Sequence, residues 1–212
     1  MIDIGQVRDW ISNFHEAIDS RVEELNGLDA ALADGDYGSS MQRGLAAAAD
    51  TASGLETDSI GELLKAIGMA MVSAMGGTSG PLVGTFFLRM GTSLGDVEQT
   101  DVAAWAAAMR AGADGIMALG GAAPGDKTML DALVPAVETL EASTGESTEA
   151  AISAAAATAV AAAAATSELA ARRGRASYVG GGGVGHVDPG AVGVSYMFVA
   201  LENAVGAGAS DG

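Results

Sequence analysis

The 212 residues suit one domain, residues 1–212, with a sizeable core, and a composition rich in Ala and Gly with only 4% aromatics favours closely packed helices over a sheet protein. A formal net charge of −17 argues against nucleic acid and anionic membrane surfaces as partners, though not against a nucleotide met by metal and backbone amides. With no cysteine there is no disulfide framework, thiolate nucleophile or zinc finger, and a cytoplasmic location is the expectation.

The opening Met1-Ile2-Asp3-Ile4 lacks the basic and apolar regions of a signal peptide. Over residues 5–32, Val7, Trp10, Ile11, Phe14, Ile18, Val22 and Leu25 recur at helical spacing. They predict one long amphipathic helix that delivers Asp29 near its C-terminal end. His15 reads by default as a surface or half-buried residue of that helix. Next, Asp29, Asp34 and Asp36 fall within eight residues, with no Lys or Arg among residues 26–40. Converging, uncompensated carboxylates repel one another, and a bound divalent cation relieves the repulsion. Oxygen-only ligands favour Mg2+ over zinc or copper. On spacing alone, a solvated acidic turn capping the next helix stays open.

Residues 39–52 read as a second helix, broken at Ser53-Gly54. A third opens at Ser59, with Glu62 completing a capping box, and stops at Gly76-Gly77. Met75-Gly76-Gly77-Thr78-Ser79-Gly80-Pro81 then leads into a helix to about Met90. Free amides and hydroxyls at such a start suit a phosphate, although the Gly-Lys-Ser/Thr of a Walker A loop is missing and a purely structural junction remains the alternative. A fifth helix covers about 101–117. A second Gly-rich junction, residues 119–129, precedes a helix over 128–140. Lys127, one of two lysines, reads either as a helix-start residue paired with Asp126 or as a phosphate or partner contact.

Residues 147–172 form an alanine-rich helix, too weakly apolar to insert convincingly in a membrane. It ends in Arg172-Arg173-Gly174-Arg175, read either as cations favoured by the helix dipole or as a phosphate contact. Gly180-Gly181-Gly182-Gly183 predicts a mobile loop, Asp188-Pro189-Gly190 opens a last helix over 191–205, and residues 206–212 form a frayed tail. The count is about eight helices. In an up-and-down bundle alternate junctions share one end, so the acidic turn, residues 76–79, residues 120–127 and residues 172–188 should converge.

As a set, Leu28–Asp36, Gly77-Thr78-Ser79-Gly80-Pro81-Leu82, the run Pro124–Leu133, Gly174-Arg175-Ala176-Ser177-Tyr178 and Gly185–Ala191 resemble the L subunit of dihydroxyacetone kinase, in the family's order and over nearly the whole chain. The resemblance implies an all-α closed barrel of eight antiparallel helices with a nucleotide site at one end. It implies two Mg2+ ions on Asp29, Asp34 and Asp36. It implies contacts to ADP or ATP from Tyr37, Gly38, Ser39, Ser40, Thr78, Ser79, Gly121, Met129, Asp188, Pro189 and Gly190, with an arginine contact at Arg172 or a near neighbour. One departure stands out: Gly180–Gly183 occupies the place where the family usually has Gly-Glu-Arg-Ser, so the loop over the nucleotide should be more flexible here.

A kinase subunit of this type holds no carbonyl substrate. The implied partners are a K subunit that carries dihydroxyacetone or a related ketose, and a phosphotransferase-system protein that rephosphorylates bound ADP; a homodimer is allowed for. Direct use of exchangeable ATP, a nucleotide-sensing regulatory module and a lipid-related kinase are the alternatives. No residue of this chain beyond the metal and nucleotide site is expected to be catalytic.

Overall fold

The computed structural model describes residues 1–208, and nine α-helices make up nearly all of the regular structure among them. They are α1 (Ile4–Asp19), α2 (Val22–Ala30), α3 (Tyr37–Gly54), α4 (Ile60–Ala74), α5 (Ser79–Leu94), α6 (Val102–Gly120), α7 (Leu130–Ala142), α8 (Thr148–Ala165) and α9 (Pro189–Gly208). Two short strands, β1 (Ile2–Asp3) and β2 (Gln99–Thr100), pair antiparallel with Ile2 opposite Thr100, and tie the N-terminus to the α5–α6 junction. Each long helix packs on the next, and α9 returns against α1, which closes the ring α1–α3–α4–α5–α6–α7–α8–α9. This is the closed all-α barrel of eight antiparallel helices expected from the sequence.

The ninth helix arises because the first predicted one is broken. At Ser20 the backbone N–H still reaches Glu16 O, but the Arg21 N–H turns back to Ile18 O at 2.9 Å, and Arg21 leaves the helical region at φ −131°, ψ 19°. The Arg21 guanidinium then lies 5.0 Å from the centre of the Tyr196 ring, whose hydroxyl donates to Glu24. The bend lays α2 against α3 and α9.

The ring interior is built from aromatic anchors and small residues. Trp10 stands 5.4 Å from Trp105 and 5.6 Å from Phe87, and its Nε1–H donates to Met197 O at 2.9 Å. Helices α4 and α5 approach until a Cβ at either Gly68 or Gly84 would sit 2.7 Å from the other's carbonyl oxygen. Ala151, Ala155, Ala156, Ala159 and Ala163 give α8 a smooth buried face against α7 and α9. The stretches Thr148–Glu168 and Pro189–Ala207 are long and apolar enough to cross a membrane by length and composition, yet both belong to helices packed into the ring.

Several helix ends differ from those read off the sequence, among them the following. The alanine helix ends at Ala165 rather than Arg172, so the arginine cluster is not in a last helical turn and the dipole account of it does not apply. The capping box at α4 is half formed. Ser59 Oγ accepts from the Glu62 N–H, but the Glu62 carboxylate takes the Thr57 hydroxyl instead of reaching back. Finally, α9 continues through residues 206–208 of the expected frayed tail, and 209–212 lie outside the described residues.

Gly68→Ala should destabilise the protein by about 1–3 kcal/mol, because the added carbon meets backbone that cannot yield cheaply. Gly27→Ala, with open space around it in α2, should be neutral or stabilising. Denaturant midpoints of the two variants check the difference.

Candidate functional site

Closure of the ring brings the four unusual junctions to one end. There the α2–α3 turn, the α4–α5 junction, the α6–α7 junction and a strap over residues 166–188 between α8 and α9 surround a cleft of about 320 Å³.

The acidic turn is organised by Asp29, which is 8% exposed. Its Oδ2 accepts from the amides of Gly35 at 2.9 Å and Asp36 at 3.0 Å, with Tyr37 N–H at 3.4 Å. Those amides precede or open α3, so one buried carboxylate wraps the turn and satisfies the helix start. Gly35 takes φ 77° to allow it. As a result one oxygen each of Asp29, Asp34 and Asp36 lies within 4.8 Å of the others. Three hard, anionic oxygens converging from one side fit Mg2+. No cation was evident within the segment in the sequence, but one arrives from far along the chain: Arg175 pairs with Asp34.

Opposite the aspartates, α5 begins at Ser79 with no side-chain cap on its first amides, behind Gly76, Gly77 and Thr78. Of the residues singled out from the sequence, Asp29, Asp34, Asp36, Tyr37, Ser40, Thr78, Ser79, Met129, Asp188, Pro189 and Gly190 line the cleft. Four do not. Gly38 is a packing residue, where a Cβ would meet Val22 O at 2.4 Å. Ser39 exchanges hydrogen bonds with the Asn26 side chain. Gly121 caps α6 in the left-handed region, its N–H on Met117 O. Arg172 is exposed and uses its backbone N–H on Asp126 O, while its neighbours Arg173 and Arg175 line the cleft.

Lys127 is one of the residues lining the cleft, is enclosed at 1% exposure and does not pair with Asp126. Its Nζ donates to Thr166 O and Leu169 O at 3.0 Å, Gly183 O at 2.8 Å and His186 O at 2.6 Å. Its isolation from other lysines in a glycine turn was the only signal available in the sequence. The Gly180–Gly183 run lies in the same strap. It forms a compact turn with Gly181, Gly182 and Gly183 in the left-handed region, pinned by Ala171 N–H on Gly182 O at 2.8 Å.

Burial pushes the Asp188 carboxyl up to about 7; the Ala191 N–H opposes the rise, the Asp131 and Asp29 charges add to it, and the Lys127 charge again lowers it. Burial first, then the charges of Asp188 and Asp29, raise the Tyr37 hydroxyl. A carboxyl that holds its proton more tightly when folded contributes stability below its unfolded pKa and loses it as pH rises through the folded one. The metal-free protein should therefore lose stability between about pH 4 and pH 7 through this group. Asp188→Asn keeps a side-chain oxygen for the α9 cap and should flatten that part of the profile relative to the parent, as read from urea midpoints at pH 5 and 7.5.

With this geometry in view, similarity to known proteins is informative. The family model described as DAK2 domain matches residues 31–203. The ADP-binding subunit DhaL of the PEP-dependent dihydroxyacetone kinase of Escherichia coli is 38% identical over 92% of this chain and 94% of its own length. The corresponding ADP-binding subunit of Listeria innocua kinase 1 is 37% identical over 91% and 92%. The crystal structure of the C. freundii dihydroxyacetone kinase in complex with AMP-PNP and Mg2+ superposes with a TM-score of 0.75 at 28% identity, covering 93% of this chain and 33% of that one. With a family model spanning most of its length and full-length relatives above 30% identity, the chain belongs to the DAK2 domain family, alongside the dihydroxyacetone kinase L subunits.

Proposed function

We propose that this chain is the nucleotide-carrying L subunit of a dihydroxyacetone kinase, which passes a phosphoryl group from Mg2+-bound nucleotide to a small ketose held on a separate K subunit. The observation that carries the proposal is the convergence of Asp29, Asp34 and Asp36 with the uncapped start of α5 across one cleft, in a chain similar end to end to subunits named as ADP-binding. Its relatives' names include PEP-dependent and PTS-dependent kinases. ADP is therefore read as a retained cofactor, rephosphorylated in place by a phosphotransferase-system protein.

The chain's own residues divide the work. Asp29, Asp34 and Asp36 would hold two Mg2+ ions, which when bound neutralise the charge of a polyphosphate and fix its orientation. Thr78 and Ser79, at the uncapped start of α5, line the same cleft, where free amides and hydroxyls suit phosphate oxygens. Met129 and Gly190 offer an apolar wall, and Arg173 and Arg175 close the rim with positive charge. Phosphoryl transfer needs little covalent chemistry from protein, so positioning and charge are what such a cleft has to supply.

The cavity volumes favour the nucleotide reading over the lipid-kinase one. Among the described residues, the apolar cavity between Phe14, Met41, Phe86 and Met197 holds about 30 Å³, the space of one water molecule and far too little for an acyl chain. A nucleotide-sensing regulatory module is the other reading, and retention of all three converging aspartates favours phosphotransfer over it.

Mass spectrometry of small molecules released on denaturing the purified protein should find ADP. Recovery of a nucleotide-free protein that exchanges ATP freely would point instead to direct use of ATP. Asp34→Asn should weaken Mg-ADP binding by more than about 100-fold while leaving helical content unchanged. Calorimetric binding equal to that of the parent would remove Asp34 from the site.

A further inference from the structure

We propose that Lys127 is a positioning residue for the cleft, a tethered cation that shapes the 166–188 strap and through it sets where Arg173, Arg175 and Asp188 stand. As a deepening of the nucleotide reading, its second half rests on that reading. The ammonium has three N–H donors and meets four carbonyl oxygens at 2.6 to 3.0 Å. Thr166 and Leu169 lie on the limb leaving α8, and Gly183 and His186 on the limb returning to α9. One charge therefore clamps both limbs at their base.

The surroundings are built to hold that charge in place. Lys127 is the non-glycine residue with positive φ among the described residues, at 60°, a backbone state that persists only when its neighbours enforce it. The Asp131 carboxylate does so by accepting from the amides of Gly125 and Thr128 on either side. Among the described residues no carboxylate lies within ion-pair distance of Lys127, although the chain carries 27 acidic residues. The carbonyls replace a counter-ion. Burial lowers the tendency of the amine to stay charged, and Asp188 opposes that.

What the clamp holds is the functional part of the strap. The Gly185–Ser167 backbone bond lies within the clamp and the Ala171–Gly182 bond beyond it, and at the base Asp188 N–H reaches Thr166 Oγ1 at 2.9 Å. The tip then presents Arg173, Gly174, Arg175 and Ala176 to the cleft, with Arg175 on Asp34. Because every N–H of the ammonium is engaged with backbone, Lys127 acts on the nucleotide through the strap and not by touching phosphate.

Lys127→Met removes the charge and keeps the bulk. In the nucleotide-free protein it should speed trypsin cleavage after Arg172, Arg173 and Arg175 by about tenfold or more with circular dichroism unchanged, and it should weaken Mg-ADP binding by a similar factor. Lys127→Ala should behave alike and be restored towards the parent by n-propylammonium, which replaces the three carbons and ammonium removed, but not by tetramethylammonium, which has no N–H. A strap as resistant as the parent's overturns the proposal, and so does lost Mg-ADP affinity with unchanged cleavage, which would mean a direct phosphate contact. Should Lys127→Met not fold, folding of Lys127→Ala that depends on n-propylammonium supports the clamp, and failure of rescue overturns it. A parent chain that binds no Mg-ADP sinks the nucleotide reading alone, because the cleavage comparison needs no nucleotide.

Discussion

The Asp29 carboxylate is the point where backbone and chemistry meet. By taking the amides of Gly35 and Asp36 it provides what a capping side chain provides at other helices, and Asp36, at the cap position of α3, makes no cap bond of its own. The turn so formed brings the Asp36 and Asp34 carboxylates alongside, one oxygen of each lying within 4.8 Å of one of Asp29. Asp29 in turn is placed by α2, and α2 by the bend at Ser20 and Arg21 that the Tyr196 ring supports. A straight helix through this region, as the periodicity suggests, would send Asp29 along the axis of α1 and away from the start of α3.

The convergence of carboxylates sets an electrostatic problem that the protein meets with two different kinds of cation. Lys127 is enclosed and committed to four carbonyls, so its charge organises backbone and cannot leave without stranding those oxygens. Arg175 and Arg173 are their opposites, with side chains 65% and 57% exposed. Exposed ion pairs contribute little, about 0–1 kcal/mol, so the Arg175 contact on Asp34 yields readily to a divalent cation. A fixed cation at the base of the strap and yielding ones at its tip suit a cleft that must receive a polyphosphate with its metal.

The long amphipathic segments were legible because burial on a ring imposes a 3.6-residue period, as with Val7, Trp10, Phe14 and Ile18 in α1. The acidic turn was legible because carboxylates crowd there without local compensation. What stayed hidden was long-range. Nothing local marks Ser20–Arg21 as a bend, since its support, Tyr196, lies on the last helix. Helix propensity carried the alanine run to Arg172, whereas a tertiary hydrogen bond from Asp188 to Thr166 and the Lys127 clamp end it at Ala165. The same early end shifted the arginines in the cleft from Arg172 to Arg173 and Arg175.

The four glycines illustrate how backbone can stand in for side chains. Where the family pattern led us to expect Gly-Glu-Arg-Ser, this chain has three consecutive residues at positive φ, a turn that non-glycine side chains resist. A Cβ on Gly183 would fall 2.2 Å from Leu32 Cδ2, so the bare backbone seats the strap directly on the apolar flank of the acidic turn, two residues before Asp34. The order such a run lacks intrinsically comes from the Ala171 bond on one side and the Lys127 ammonium on the other. Glycine in the turn and lysine beneath it are thus mutually dependent. A side chain at Gly183 would have to displace Leu32 Cδ2, and without the lysine the turn would keep only the Ala171 bond.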